Sequence, residues 1–253
     1  MGAAPLDQGA SKDRPAIVNA SVQTLESIQS DFDRIALLPR ETWDHNSHYH
    51  QFLLDQLPPQ CQDVLEIGCG TGDFTCLLAQ RAEKVVAIDL SPEMVHRARE
   101  NSGLQPNIEF VLGDALTYPL DTNKFDCIAT LTTLHHLPVD QIFDEIKRAL
   151  KPGGVFVCLD LYQRSTLSDA VLDAAAFLAS PLVRLMRTGK LRPDRELRAA
   201  YEEHGKTDFY LRLSRIRQLC EKTLPGAMVH RHLFWRYSIV WKKETCLQTQ
   251  ERP

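Results

Sequence analysis

Apolar residues at Val22, Leu25, Ile28, Phe32, Ile35 and Leu38 recur at spacings of three and four. That is the period of one helical face, so the spacing predicts an amphipathic helix over 21–39, stopped at Pro39. From Asp63 onward the pattern changes. Short runs that are apolar almost throughout (Val64-Leu65-Glu66-Ile67, Val85-Val86-Ala87-Ile88, 108–112, 125–130 and 155–159) alternate with helical periods at 73–81, after Ser91 and at 140–150. A strand without in-out alternation is buried on both faces, as in a parallel sheet covered by helices. With right-handed crossovers this predicts an α/β fold, a Rossmann-like doubly wound sheet, mostly parallel. Ser91-Pro92-Glu93 places a capping hydroxyl, a first-turn proline and an acid at one helix start. Lys151-Pro152-Gly153-Gly154 is expected to close the helix before the fifth strand.

Two further strands, Met228 to Phe234 and Tyr237 to Trp241, are expected around a tight turn at Trp235-Arg236, adding an antiparallel strand at the C-terminal edge. Residues 165–220 break the alternation and read as helical, interrupted at Pro181. Residues 1–20 mix Gly, Ala, Pro and charge without a period, so a disordered tail is expected there. The rest, 21–253, is expected to form a single domain. Its parts are an N-terminal helical cap (21–60), a core (62–160), a helical insertion (165–220) and a terminal strand pair (227–243).

Composition narrows the function. The net charge is −4, so no global basic field favours nucleic acid. No run reaches the length of a membrane span, and residues 1–14 lack a basic start followed by an apolar stretch, so no leader is expected. Seven cysteines are scattered without a CxxC pair, which fits reduced thiols and a cytoplasmic setting.

The chemistry concentrates at Glu66-Ile67-Gly68-Cys69-Gly70-Thr71-Gly72, a turn between a strand and a helix. In a doubly wound sheet such a turn opens where ligands bind. The spacing is GxGxG, and the dinucleotide fingerprint would need another glycine where Asp73 stands. Acids at 66 and 73 suit a cationic ligand better than a pyrophosphate.

This run resembles the first motif of the class I S-adenosylmethionine-dependent methyltransferases, small-molecule (type 11/type 12-like) branch. The resemblance continues through Val86-Ala87-Ile88-Asp89-Leu90-Ser91-Pro92-Glu93-Met94, Gly113-Asp114-Ala115, Phe125-Asp126 with Leu134-His135-His136-Leu137, and Leu150-Lys151-Pro152-Gly153-Gly154. It implies S-adenosylmethionine as cofactor and S-adenosylhomocysteine as product. It also implies a cofactor seat from Glu66, Gly68, Cys69, Gly70, Gly72, Asp89, Leu90, Met94, Asp114, Ala115, Thr130 and Leu131. In that seat Asp89 accepts the ribose hydroxyls, Asp114 and Ala115 meet the adenine, and Gly68 with Thr130-Leu131 meets the methionine part. Glu66 would hold Gly72 through the loop's hydrogen bonds. The activity implied is methyl transfer to a small-molecule acceptor, hydrophobic, anionic or both, with no nucleic-acid partner. The methylated atom and the oligomeric state stay open. A protein, peptide or RNA acceptor, a non-catalytic binding subunit and a nicotinamide-dependent oxidoreductase are the competing readings. Thr130-Leu131-Thr132-Thr133 stands where an Asn-Pro-Pro-Tyr type loop would favour an amide or base nitrogen.

His135 and His136 follow the fourth strand and are the candidate catalytic residues, as base or acceptor holder. Trp43, His45, His48 and Tyr49 are lid or acceptor candidates from the dense stretch 43–50, where a helix would make Asp44 and His48 neighbours. His45, His48 and His50 have only Asp44 as a nearby carboxylate, so no metal is expected. Phe177 and Leu178 are expected on an apolar lid over the acceptor. Residues 181–217 carry ten basic and five acidic side chains. Arg184, Arg187 and Arg192 among them could meet an anionic group at the rim.

Overall fold

The computed structural model describes residues 24–245; the expected tail at 1–20, Val22 and Cys246 lie outside them. The strands are β1 (Cys61–Ile67), β2 (Ala82–Asp89), β3 (Ile108–Leu112), β4 (Phe125–Leu131), β5 (Leu150–Leu161), β6 (Met228–Arg231) and β7 (Arg236–Lys242). The helices are α1 (Leu25–Ala36), α2 (His50–Leu54), α3 (Asp73–Leu78), α4 (Pro92–Ser102), α5 (Val139–Ala149), α6 (Leu167–Thr188), α7 (Arg195–His204) and α8 (Leu213–Thr223).

One seven-stranded sheet runs β3-β2-β1-β4-β5-β7-β6. Strands β1 to β5 pair in parallel, and β7 runs antiparallel to both β5 and β6. Successive residues of a strand point to opposite faces, and both faces are buried. Leu65, Ile67, Ile128 and Phe156 pack with α5 and α8 through Phe143, Ile146, Ile216 and Leu219. Val64, Val85, Cys127 and Val157 pack with Leu53, Phe74, Leu78 and Trp43 on the other side. Burial of both faces is the reason the strands read as unbroken apolar runs.

Strand order reverses between β1 and β4, so the carboxyl ends of these two strands diverge to either side and open a crevice. Helix α4 starts as its sequence indicates: the Ser91 hydroxyl accepts the Met94 N–H at 3.0 Å. Helix α1 lies over α4 and α7, sharing a small core of Ile35, Ala36, Met94 and Ala200. This layer roofs the crevice.

Four local expectations are corrected. Lys151-Pro152-Gly153-Gly154 does not close a helix; it lies inside β5, where Gly153 takes φ +81° and its N–H bonds to Lys243 O at 2.8 Å. Residues 43–50 do not form one helix. Asp44 and Ser47 bond each other's backbone (2.6 and 2.9 Å) and close a turn before a short 3₁₀ segment at Ser47–Tyr49. Pro181 does not interrupt α6, which runs 22 residues between a Thr166–Asp169 capping box and Gly189. The terminal hairpin turns one residue earlier than expected, at Phe234 and Trp235, with φ 58° and 60°.

Candidate active site

A cavity of about 1250 Å³ occupies the crevice at the carboxyl ends of β1, β2 and β4, under α1 and α7. Single small-ligand pockets usually span roughly 300–1,000 Å³, so this space suits two substrates side by side. Its floor is the turn after β1. Gly68, Gly70 and Gly72 all take left-handed φ, +74°, +51° and +80°. A Cβ at Gly68 would come within 2.0 Å of the Thr133 hydroxyl oxygen, whereas a Cβ at Gly70 would meet nothing within 4 Å. The glycine at 68 is therefore demanded by the protein's own packing. The clear space above Gly70 belongs to the cavity.

Two acids sit at this floor. Glu66 is 1% exposed, bonded by the Thr75 hydroxyl, and burial lifts its carboxyl to about 8. The predicted tie from Glu66 to Gly72 is replaced by this bond to Thr75. Asp89 accepts the Gly70 N–H at 2.8 Å and the Ser91 N–H at 3.0 Å, one on each oxygen. A carboxylate has about four lone-pair sites, so acceptor capacity remains. Burial raises its pKa against the pull of those N–H groups. Asp114 turns one oxygen to Leu116 N–H at 2.9 Å.

Of the residues singled out from sequence, Glu66, Gly68, Cys69, Gly70, Asp89, Leu90 and Met94 line one end of the cavity. Asp114, Ala115, Leu131, His135, His136 and His45 also line it. Gly72 and Thr130 do not. Gly72 backs onto Ala98, and Thr130 lies buried below the surface. Trp43 and Tyr49 are core residues, and His48 packs edge-on to Tyr49. The lid assignment of Phe177 and Leu178 is corrected: both point outward from α6, 75% and 68% exposed. The wall they were expected to form comes from α7 instead, through Leu197 and Tyr201. Arg184 lines the cavity, but its charge is already committed. It pairs with Glu41 at 2.5 Å and lies over the Trp43 ring.

The far end of the cavity is polar. Asp160, buried in the otherwise apolar β5, accepts the His135 Nδ1–H at 2.6 Å and the His135 backbone N–H at 2.8 Å. The Asp160 and Asp208 carboxylates outweigh burial and lift His135 to about 9. Burial, with the charge of His135 beside it, drops His136 to about 3. Burial opposes it, but the nearby His135 imidazole and the hydrogen bond from the Tyr210 hydroxyl hold Asp208 at about 2. Neither imidazole is poised near neutrality, where a general base works best.

Arg236 reaches the same wall from the start of β7. It is buried, and among the described residues its guanidinium bonds neutral partners, Asn46 Oδ1 at 2.8 Å and Phe234 O at 3.0 Å. Burial lowers its pKa. The left-handed pair Phe234–Trp235 directs this side chain inward. Bulky residues rarely hold such φ values unless the surroundings impose them. Here Phe234 is clamped in the core and stacked on His45, centroids 4.8 Å apart. Arg236, Asn46, His204, Asp208 and Tyr210 were not found from sequence. An arginine beginning an apolar strand was a usable signal; His204 and Asp208 looked like members of a solvated helical face.

Comparison with known proteins agrees with this geometry. Residues 65–158 match the family profile described as a methyltransferase domain. The chain is 36% identical over 121 residues to an uncharacterised methyltransferase of Synechocystis, covering 46% of this chain and 56% of that protein. It is 35% identical over 104 residues to a demethylmenaquinone methyltransferase of Staphylococcus aureus, covering 40% and 43%. The chain thus spans about half the length of the curated relatives it matches. A solved SAM-dependent methyltransferase from Aquifex aeolicus superposes with TM-score 0.52 at 19% identity, over 85% of this chain and 97% of that one; at that identity the likeness is one of fold. The sheet order, the glycine turn with its buried acids and the profile match lead to one assignment: the chain carries, over residues 65–158, a class I S-adenosylmethionine-dependent methyltransferase domain.

Proposed function

We propose that this protein transfers the methyl group of S-adenosylmethionine to a small, anionic acceptor. The observation that carries the reading is the single cavity joining the glycine turn to the buried guanidinium of Arg236. The residues fit the cofactor. Space is clear above Gly70, Asp89 keeps acceptor capacity for ribose hydroxyls, and the buried Glu66 gains a reason to ionise beside a cation. Asp114 keeps an oxygen for the adenine amine. The cofactor supplies an electrophilic methyl group on a sulfonium.

Methyl transfer to an anion neutralises charge, so a dry site and correct placement supply much of the rate. Arg236 holds the acceptor's negative group, Leu197 and Tyr201 wall it, and His135, its ring fixed by Asp160, lines the polar end. His136 flanks it. A roofed cavity favours a small molecule over a protein or RNA acceptor. The six described cysteines are unpaired, which supports a cytoplasmic setting. Among the described residues no helix is long and apolar enough to cross a membrane.

Calorimetry with S-adenosylmethionine and S-adenosylhomocysteine, followed by a labelled-methyl screen of carboxylate, phosphate and phenolate acceptors, tests the proposal. Folded protein that binds neither compound would overturn it. Once an acceptor is found, Arg236→Gln should raise its KM at least tenfold and leave cofactor affinity within about twofold, because only one substrate loses contacts.

A further inference from the structure

We infer that the polar end of the cavity is a divalent transition-metal site, built from His135, His136 and Asp208 with His204 adjoining. One ligand atom from each of His135, His136 and Asp208 lies within 4.8 Å of the others. Asp208 is the centre of the group. Its Oδ2 is 3.7 Å from His135 Nε2, and its Oδ1 is 4.0 Å from His136 Nδ1 and 3.4 Å from His204 Nε2. All three separations exceed an ordinary hydrogen bond. All three approach the edge of a tetrahedron around a zinc-sized ion, about 3.4 Å for ligands bound at roughly 2.0–2.2 Å.

The unpaired atoms say the same. Among the described residues, His136 Nε2, His204 Nε2 and Asp208 Oδ1 are buried without a hydrogen-bond partner. Their side chains are 6%, 5% and 3% exposed. A buried polar atom left unsatisfied costs about 1–3 kcal/mol, so His204 Nε2 and Asp208 Oδ1, 3.4 Å apart, call for a common partner. A cation held there, with His136 Nδ1 on its flank, would satisfy both.

The outer partners of the two flanking histidines match a metal site. His135 turns Nδ1 to Asp160 at 2.6 Å, and His204 turns Nδ1 to Asp31 at 3.0 Å. Each carboxylate fixes its ring so that Nε2 faces Asp208, the carboxylate–histidine arrangement that orients metal ligands. Nitrogen donors with one carboxylate suit zinc, cobalt or nickel over magnesium or calcium. Phe32 closes one side, its ring 4.7 Å from that of His204 and 5.7 Å from that of His136. The cavity leaves the other side open, as a site that takes an exogenous ligand requires. On the methyltransferase reading, that ligand is the acceptor's oxygen or sulfur atom, held as its anion after its proton has passed to solvent. Arg236 would then bind a second group of the same acceptor.

The test is titration of metal-free full-length protein with Co²⁺, read by visible d–d absorption, and competition by Zn²⁺. One equivalent of Co²⁺ should bind with a four- or five-coordinate spectrum that Zn²⁺ abolishes. Asp208→Asn and His136→Gln should each weaken binding at least tenfold. Asp160→Asn, which alters only an outer partner, should weaken it about 10–100-fold. Circular dichroism checks folding of each variant; if Asp208→Asn fails to fold, the wild type and His136→Gln still decide. Folded wild type without a cobalt spectrum would overturn the inference, as would unchanged binding in folded His136→Gln. S-adenosylhomocysteine calorimetry on the same samples separates this from failure of the methyltransferase reading: that failure removes nucleoside binding and leaves the cobalt spectrum in place.

Discussion

Asp89 holds both the turn and, on the proposed function, the ribose. Its two oxygens already accept Gly70 and Ser91 N–H groups, so Asp89→Ala removes loop bonds together with cofactor bonds. Loss of charge-assisted hydrogen bonds of this kind costs about 1.5–3 kcal/mol. Calorimetry should show S-adenosylhomocysteine affinity reduced roughly 10- to 150-fold, and unchanged affinity would make Asp89 a capping residue only.

Glu66 gives a pH signature. Its folded pKa of about 8 lies above its ordinary 4.5 because of burial. The folded state therefore binds the proton more tightly than the unfolded chain. The stability this lends is complete below about pH 4.5 and is lost as pH rises toward 8. Glu66→Gln keeps the neutral form at every pH. In ligand-free protein, its melting temperature relative to wild type should rise between pH 5 and pH 8.5, by about 2–4 °C per kcal/mol for a chain of this size. A difference that does not vary with pH would show that Glu66 is ionised throughout.

Among the elements, α6 is the one whose apolar content misleads. Val171, Phe177, Leu178, Leu182 and Met186 are exposed, while Ala176 and Arg184 face inward. A helical period reveals that a stripe exists, but not which neighbour covers it. Replacing Phe177 and Leu178 together by Ser should change the melting temperature by less than about 2 °C, since surface substitutions usually stay within ±0.5 kcal/mol. It should also leave nucleoside affinity unaltered. A loss of several degrees in a thermal scan would return these residues to the core.

Elements β6 and β7 show the opposite case. Their strands were legible in the sequence, yet the turn fell at Phe234–Trp235. No residue preference for a left-handed pair would select a phenylalanine and a tryptophan. The core pocket that holds Phe234 selects them. The same turn aims Arg236 at the cavity.

At the scale of the molecule, α1 and the turn at 44–47 hold the roof over the cavity. Asp33 accepts the Ser91 hydroxyl at 2.5 Å, tying α1 to the start of α4, and Arg97 donates to Ala36 O at 3.1 Å. Deleting residues 1–55 should therefore weaken nucleoside binding more than tenfold, while deleting residues 1–20 should leave it within twofold. Equal affinities by calorimetry would mean that the roof contributes nothing.

By itself the amino-acid sequence determined the order of strands and helices, the doubly wound sheet and the floor of the cavity. These depend on local quantities: runs buried on both faces, a capping serine, glycines that a tight turn requires. Each is written within a few consecutive residues. Residues 66–72, 89 and 114 meet at the floor because adjacent parallel strands bring their carboxyl ends together whatever the loops contain. Only the tertiary structure decided which side chains form the opposite wall. Asp31, His135, Asp160 and the pair His204 and Asp208 come from four separate segments. Their meeting depends on how α1 and α7 pack across the sheet edge. No short-range pattern encodes that packing, because its energy is shared over many weak contacts distant in sequence.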